Sequence, residues 1–266
     1  MRKTFIILEK KQLFMKDFSD GIFDKVTIVM TSMSRWDGDF SSASWSLAKT
    51  FAQNQRVIYV DYPFTILDYF KERKKKSVAT RKQALLWGKN YLKPLPQFSP
   101  KLFALTPPVM LPINWLPTGT LYRFFSAWND RRLSRSINKA LHELGENDFI
   151  FFNSFNPLYL SNLPKSLQPK AFVYQSRDNI RALEPYLRKH GASNEIEAVR
   201  NADLCLVTSR MLQKDLSSLS GKKVAYFPNA ADFDLFKQAY EEQLSIPEDI
   251  SDIPKPIIGY TGNICH

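Results

Sequence analysis

The sequence has little of what marks several protein classes. Its only cysteines are Cys205, inside an apolar run, and Cys265, the penultimate residue. Neither a disulfide framework nor a CxxC metal or redox site can be built from them, and a reducing cytoplasm suits the pair. Histidine is limited to His142, His190 and His266, and HExxH, GxSxG, Walker A and GxGxxG patterns are all missing. A metal ligand set, a serine hydrolase and a tightly bound dinucleotide therefore lose most of their basis. Nine glycines and 16 prolines are too few and too scattered for a linker-dominated or collagen-like chain. No uncharged apolar run approaches the roughly 18–20 residues that span a bilayer. The opening Met1–Leu8 has four consecutive apolar residues before Glu9-Lys10-Lys11, short of the roughly 7–15 of a secretory segment. The expectation is a soluble, cytoplasmic protein, at most peripheral on the inner face of the cell membrane.

What is present is ample core material. Of 266 residues, 44% are hydrophobic and 24% charged, with 20 Phe, 11 Tyr and 5 Trp, which excludes intrinsic disorder. The 37 Lys and Arg exceed the 26 Asp and Glu, giving +11. From Lys71 to Lys101 ten basic residues face the single acid Glu72, interleaved with Tyr69, Phe70, Leu85, Leu86, Trp87, Tyr91 and Leu92. Such a block is either a solvated face or a surface for an anionic membrane, with Lys74, Lys75, Lys76, Arg81, Lys82 and Trp87 as its contacts. No helix-turn-helix, zinc-finger or RNP-like pattern supports a nucleic-acid partner.

Short apolar runs alternate with longer helical patterns. The pattern predicts strands at Val26–Ser32, Arg56–Asp61, Leu102–Thr106, Phe149–Asn153, Ala171–Gln175, Leu204–Thr208, Val224–Phe227 and Ile257–Tyr260. Helices are expected near Ser41–Gln53, Thr120–Leu144, Asn194–Asn201 and Ser209–Ser218, several opened by a capping Ser, Thr or Asn. Nearly continuous apolar strands alternating with helices imply an α/β fold, a doubly wound, mostly parallel Rossmann-like sheet. Ligands bind such sheets at the carboxyl ends of the strands, so the loops of interest are 33–40, 62–65, 154–158 and 176–181.

Four segments then carry a resemblance. Val173-Tyr-Gln-Ser-Arg-Asp178, Ala202-Asp-Leu-Cys-Leu-Val-Thr-Ser209, Val224-Ala-Tyr-Phe-Pro-Asn-Ala-Ala-Asp232 with Phe236, and Ile257-Ile-Gly-Tyr-Thr-Gly262 follow one another in order. Together they resemble the retaining GT-B glycosyltransferases of glycosyltransferase family 4 (group 1), N-terminal domain. Ser34-Arg-Trp-Asp-Gly38 and Val57-Ile-Tyr-Val-Asp-Tyr-Pro63 are similar to the branch that builds teichuronic acid and other cell-surface polysaccharides. One departure is Asn229-Ala230, where the family has Asn-Gly; alanine lacks glycine's freedom at positive φ.

The resemblance implies an N-terminal extension over 1–24, an acceptor-binding Rossmann-like domain over 25–236, and an interdomain linker with the first strand of a donor-binding domain over 237–266. It implies transfer of a hexose from a nucleotide-diphosphate sugar, a co-substrate rather than a bound cofactor, to a sugar or lipid-linked glycan acceptor in cell-envelope polysaccharide biosynthesis. The rest of the donor domain, with its carboxylate pair, falls beyond His266, so these residues are expected to be inactive alone. Gly262 would approach the donor diphosphate in an incomplete site.

Within the acceptor domain, Asp178 is the candidate catalytic carboxylate, or else an N-cap for the helix that follows. Trp36, Asp37 and Gly38 could stack on a sugar and accept its hydroxyls, or could form a plain anchored turn. Ser154, Asn156 and Arg177 end neighbouring strands and complete the acceptor-binding set. No metal is expected. A non-enzymatic sugar- or lipid-binding module is the alternative; an oxidoreductase or epimerase is disfavoured by the missing glycine-rich loop.

Overall fold

The computed structural model describes residues 26–38 and 42–230, with scattered positions beyond 230. The chain divides between Pro228 and Asn229 into two units. In the second, the described residues include one 3-10 turn, Glu248–Ile250. The rest of this subsection concerns the first unit.

Eight strands form a single sheet: β1 (Thr27–Ser32), β2 (Val57–Val60), β3 (Leu92–Pro94), β4 (Leu102–Leu105), β5 (Phe149–Ser154), β6 (Ala171–Ser176), β7 (Leu204–Val207) and β8 (Ala225–Tyr226). Their order is β3-β4-β2-β1-β5-β6-β7-β8. All neighbours are parallel except β3, which runs antiparallel to β4. Strand order reverses at β1, which pairs with β2 on one side and β5 on the other. This is the doubly wound Rossmann-like sheet that the alternating pattern implies.

The strands are buried on both faces because successive side chains point to opposite sides. Val29, Ile58, Phe151 and Tyr174 belong to one apolar layer, with residues of α5 (Thr120–Glu143), α6 (Ala192–Asn201) and α7 (Arg210–Ser220). Met30, Tyr59, Phe152 and Val173 form the opposite layer, with Trp45, Ala48 and Ala52 of α1 (Ala43–Asn54). Ser42 caps α1 by accepting from the Trp45 N–H, and Ser209 caps α7 from the Leu212 N–H. Both helices therefore start where a side chain satisfies their orphan donors.

The expected strands from Val26–Ser32 to Val224–Phe227 form with ends shifted by a residue or two. Ile257 and Tyr260 of the last expected strand lie outside the described residues, as do Asp232, Phe236, Gly262 and the 1–24 extension; Ile258 and Gly259 are not in a strand. β3 is an addition. Pro94 within it removes a ladder donor, which an edge strand tolerates.

The basic segment is not one extended surface. It takes in the end of α2 (Ile66–Glu72), the short helices α3 (Lys76–Ala79) and α4 (Lys82–Trp87), and β3. Thr65 and Asp68 make a reciprocal capping box at α2, and Gly88 ends α4 at φ 60°. Val78 and Leu85 pack with Phe64 in a small apolar cluster. Lys74, Lys75, Lys76, Lys82 and Trp87 are exposed, but Arg81 is only 5% exposed. Arg81 thus corrects the sequence expectation: it is a buried structural cation and faces no membrane.

Candidate functional site

At the carboxyl edge of the sheet, the ends of β1, β5 and β6 bring several polar side chains together. Ser32 and Ser154 close strands that are otherwise largely apolar, and both are almost fully buried. Ser32 and Ser34 lie 2.6 and 2.7 Å from the Tyr59 hydroxyl, and Ser34 is 2.7 Å from Ser42 at the start of α1. Burial pushes the Tyr59 hydroxyl above its usual pKa, so this cluster is neutral and able to donate.

Beside it, the Ser154 hydroxyl donates to Gln175 Oε1 at 2.9 Å, and Ser44 Oγ lies 3.3 Å from Ser154 Oγ. The Arg177 guanidinium donates to both serine hydroxyls, and weakly to Gln175 Oε1 at 3.4 Å. Thr208 fixes the Arg177 backbone by donating to its carbonyl at 2.8 Å. Burial holds the Arg177 pKa below its ordinary value, and no carboxylate among the described residues ion-pairs with it. Hydroxyls and an amide are weaker partners for a guanidinium than carboxylates, so an incoming acceptor oxygen can replace them.

Asn156 stands next to this group. It is 1% exposed, donates to the Ser32 carbonyl at 3.1 Å, and its Oδ1 lacks a partner. Phe155, between Ser154 and Asn156, adopts φ 61°. That left-handed conformation is costly for an aromatic residue. The Asn153 side chain holds the turn through the Asn156 N–H and carbonyl. The sequence signal for this region is a polar residue at the end of each apolar strand.

The Trp36, Asp37 and Gly38 turn is built differently. Arg81 donates to both Asp37 carboxylate oxygens and, through Nε at 2.9 Å, to Asp61. Asp61 also accepts from the Trp36 N–H and the Thr106 hydroxyl, both at 3.1 Å. Burial raises the Asp61 pKa against these donors, while its carboxylate neighbours hold Arg81 charged. Lys93 lies 4.6 Å above the Trp36 ring, and Trp45 packs 6.5 Å from it. Asp37 is therefore committed to Arg81, and the Trp36 ring is engaged by Lys93 and Trp45. The anchored-turn alternative describes these residues, and Gly38 is simply exposed.

Asp178 is exposed and makes no hydrogen bond or ion pair among the described residues. The cap it could have supplied comes from Asn179, which accepts from the Arg181 N–H. Ser154, Asn156 and Arg177 thus converge, Asp178 adjoins them, and Gly262 lies outside the described residues. Sequence reasoning passed over Ser32, Ser44, Tyr59 and Gln175. No cluster of His, Cys, Asp and Glu suited to a metal occurs among the described residues, nor does any helix there have the length and apolarity to cross a membrane. Cys205 is buried, with its thiol pushed up to about 12.

No family model matches the chain, and neither does any curated protein. Among solved structures it is similar to sucrose-phosphate synthase from Thermosynechococcus elongatus, at TM-score 0.49 and 10% identity over 83% of this chain and 53% of that one. A second structure of that synthase gives TM-score 0.45 and 10% identity over 82% and 96%. The chain spans about half the length of the first of these.

Proposed function

We propose that the first unit is the acceptor-binding half of a retaining, nucleotide-sugar-dependent glycosyltransferase acting on a cell-surface polysaccharide or lipid-linked glycan. The observation that carries this reading is Arg177, half-buried at the end of β6 and ion-paired with no carboxylate among the described residues, whose guanidinium reaches Ser44, Ser154 and Gln175 beside the point where strand order reverses. A guanidinium with neutral polar neighbours suits hydroxyl and phosphate oxygens alike. The order of the four sequence segments adds the chemical class. Asp178, exposed beside Arg177, would accept from the acceptor hydroxyl, and a separate donor domain would supply the nucleotide sugar, with Gly262 near its diphosphate. Exposed Lys74, Lys75, Lys76, Lys82 and Trp87 would hold the protein at the inner membrane face.

Calorimetric titration tests this. Short oligosaccharide or undecaprenyl-linked acceptors should bind the wild-type chain, and Arg177→Ala should weaken them at least tenfold. Tight binding of a nucleotide sugar by this chain alone, without acceptor binding, would reverse the assignment of halves. Unchanged liposome binding after Lys74, Lys75 and Lys76 are replaced by Glu would remove the membrane part.

A further inference from the structure

Helix α5 connects two parallel strands, so it runs against them and its first turns reach the same sheet edge as Arg177. Its exposed side changes chemistry along its length. Leu121, Phe124 and Trp128, spaced to share one face, are 54%, 62% and 39% exposed, and Trp115 in the preceding loop is 72% exposed. Arg131 and Arg135 continue the ridge toward the helix end. With Arg123 and Lys165 they line a cavity of 880 Å³ between α5, residues 158–166 and α6.

Among the described residues none of these four cations has an ion pair or a side-chain hydrogen bond. The cavity also contains Asp130 and Glu197; Glu197 is exposed, ion-pairs with none of the four among the described residues, and offsets only one of their charges. Asp130 is no counter-ion for them: its carboxylate accepts the Leu160 N–H at 2.9 Å, and its pKa is pushed up by burial with no cation offsetting it. Unpaired cations crowded around one concavity favour a multivalent anion. Arginines in particular grip phosphate through paired N–H donors.

A free anion has no use for the adjoining aromatic and aliphatic ridge, whereas a lipid surface presents phosphate and apolar matter side by side. We propose that the α5 cavity is a phosphate site for an anionic phospholipid headgroup, with Leu121, Phe124, Trp128 and Trp115 entering the bilayer interface beside it. The proposal does not depend on the transferase reading. Nor does it use Lys74, Lys75 and Lys76 at the start of α3, although α2 just before them is tied to α5: Met110 accepts the Ile66 N–H, and Asn129 of α5 holds the Leu111 backbone at both ends.

The test is co-sedimentation of the full chain with vesicles of phosphatidylcholine alone and of phosphatidylcholine with phosphatidylglycerol at 7:3. Wild type should bind the anionic vesicles and leave the neutral ones. The exposed double variant Arg131→Ala/Arg135→Ala should weaken binding about thirtyfold, roughly fivefold per cation lost. Phe124→Ser/Trp128→Ser should weaken it as well, with both variants shown folded by circular dichroism. Wild-type affinity in the arginine variant overturns the proposal, most pointedly if Lys74→Glu/Lys75→Glu/Lys76→Glu abolishes binding instead. Titration with sodium pyrophosphate separates the sources: binding of pyrophosphate with no vesicle binding overturns the lipid assignment in favour of a soluble phosphate ligand.

Discussion

Arg81 and Arg177 are both drawn in at the carboxyl edge of one sheet, yet Arg81 meets two carboxylates and Arg177 meets only neutral oxygens. Arg81 ties together segments far apart in the chain: Asp37 after β1, Asp61 after β2 and its own turn before α4. Its charge is used up in holding them. The cost of desolvating Arg177 is offset only by hydroxyls and an amide, which an incoming ligand oxygen can replace. The contrast separates a cation that builds the fold from one that remains available for binding, a distinction that neither burial nor charge makes alone.

The largest effect should come from breaking the first arrangement. Arg81→Met leaves Asp61, 1% exposed, without its cation. Removing one partner of a buried pair typically costs about 3–5 kcal/mol. Urea denaturation should show that loss, with Asp37→Asn costing less because Asp37 is partly exposed and Arg81 keeps Asp61. A loss below about 1 kcal/mol for Arg81→Met would erase the distinction between the two arginines.

A second pair sharpens it. Asp61 has three donors, whereas Asp130, buried in α5, has a single one in the Leu160 N–H. Burial raises the Asp130 carboxyl to about 7 from 3.8. The folded chain therefore binds this proton more tightly than the unfolded chain, and Asp130 makes the protein lose stability as pH rises from about 4 to about 7. Asp130→Asn keeps an oxygen for Leu160 and removes the titration. At about 1.4 kcal/mol per unit, the variant should be on the order of 4 kcal/mol more stable than wild type at pH 8 and within about 1 kcal/mol of it at pH 4. Thermal melts across that range would show a flattened slope, and an unchanged slope would place the titration elsewhere.

Most of the sheet was legible in the sequence because a strand buried on both faces leaves an unbroken apolar run, as in Phe149–Phe152 or Ala171–Tyr174. β3 was not, since three residues ending in Pro94 carry no period. The basic run from Lys71 to Lys101 read as one surface, while three short helices turn Arg81 inward and leave its neighbours out. Arg81 pairs with residues 20 and 44 positions away, and no local pattern announces such a partner. Ser154, Asn156 and Arg177 were legible as polar ends of apolar strands. Ser44 and Tyr59 were hidden, the one inside a helix start and the other in the middle of a strand.

Arg177→Met should behave unlike Arg81→Met. No buried carboxylate is orphaned, and the freed Ser44 and Ser154 hydroxyls still lie 3.3 Å apart and can bond to each other. Stability should stay within about 1 kcal/mol of wild type, inside the range of a typical net hydrogen-bond loss. If Arg177→Met unfolds the chain as readily as Arg81→Met, Arg177 belongs to the scaffold.

The smallest stability effect should fall at Asp178. Its carboxylate is exposed, Asn179 already supplies the cap, and no hydrogen bond among the described residues is lost on replacement. Asp178→Asn should therefore shift unfolding by no more than about 0.5 kcal/mol. The proposed acceptor role adds a separate expectation: a carboxylate that accepts a ligand hydroxyl contributes about 1.5–3 kcal/mol, so on that proposal acceptor binding measured by calorimetry should fall at least tenfold. A variant equal to wild type in both measurements would leave Arg177 as the charged group of the crevice and remove Asp178 from the site. A variant that unfolds would show that Asp178 carries a structural load beyond the cap that Asn179 provides.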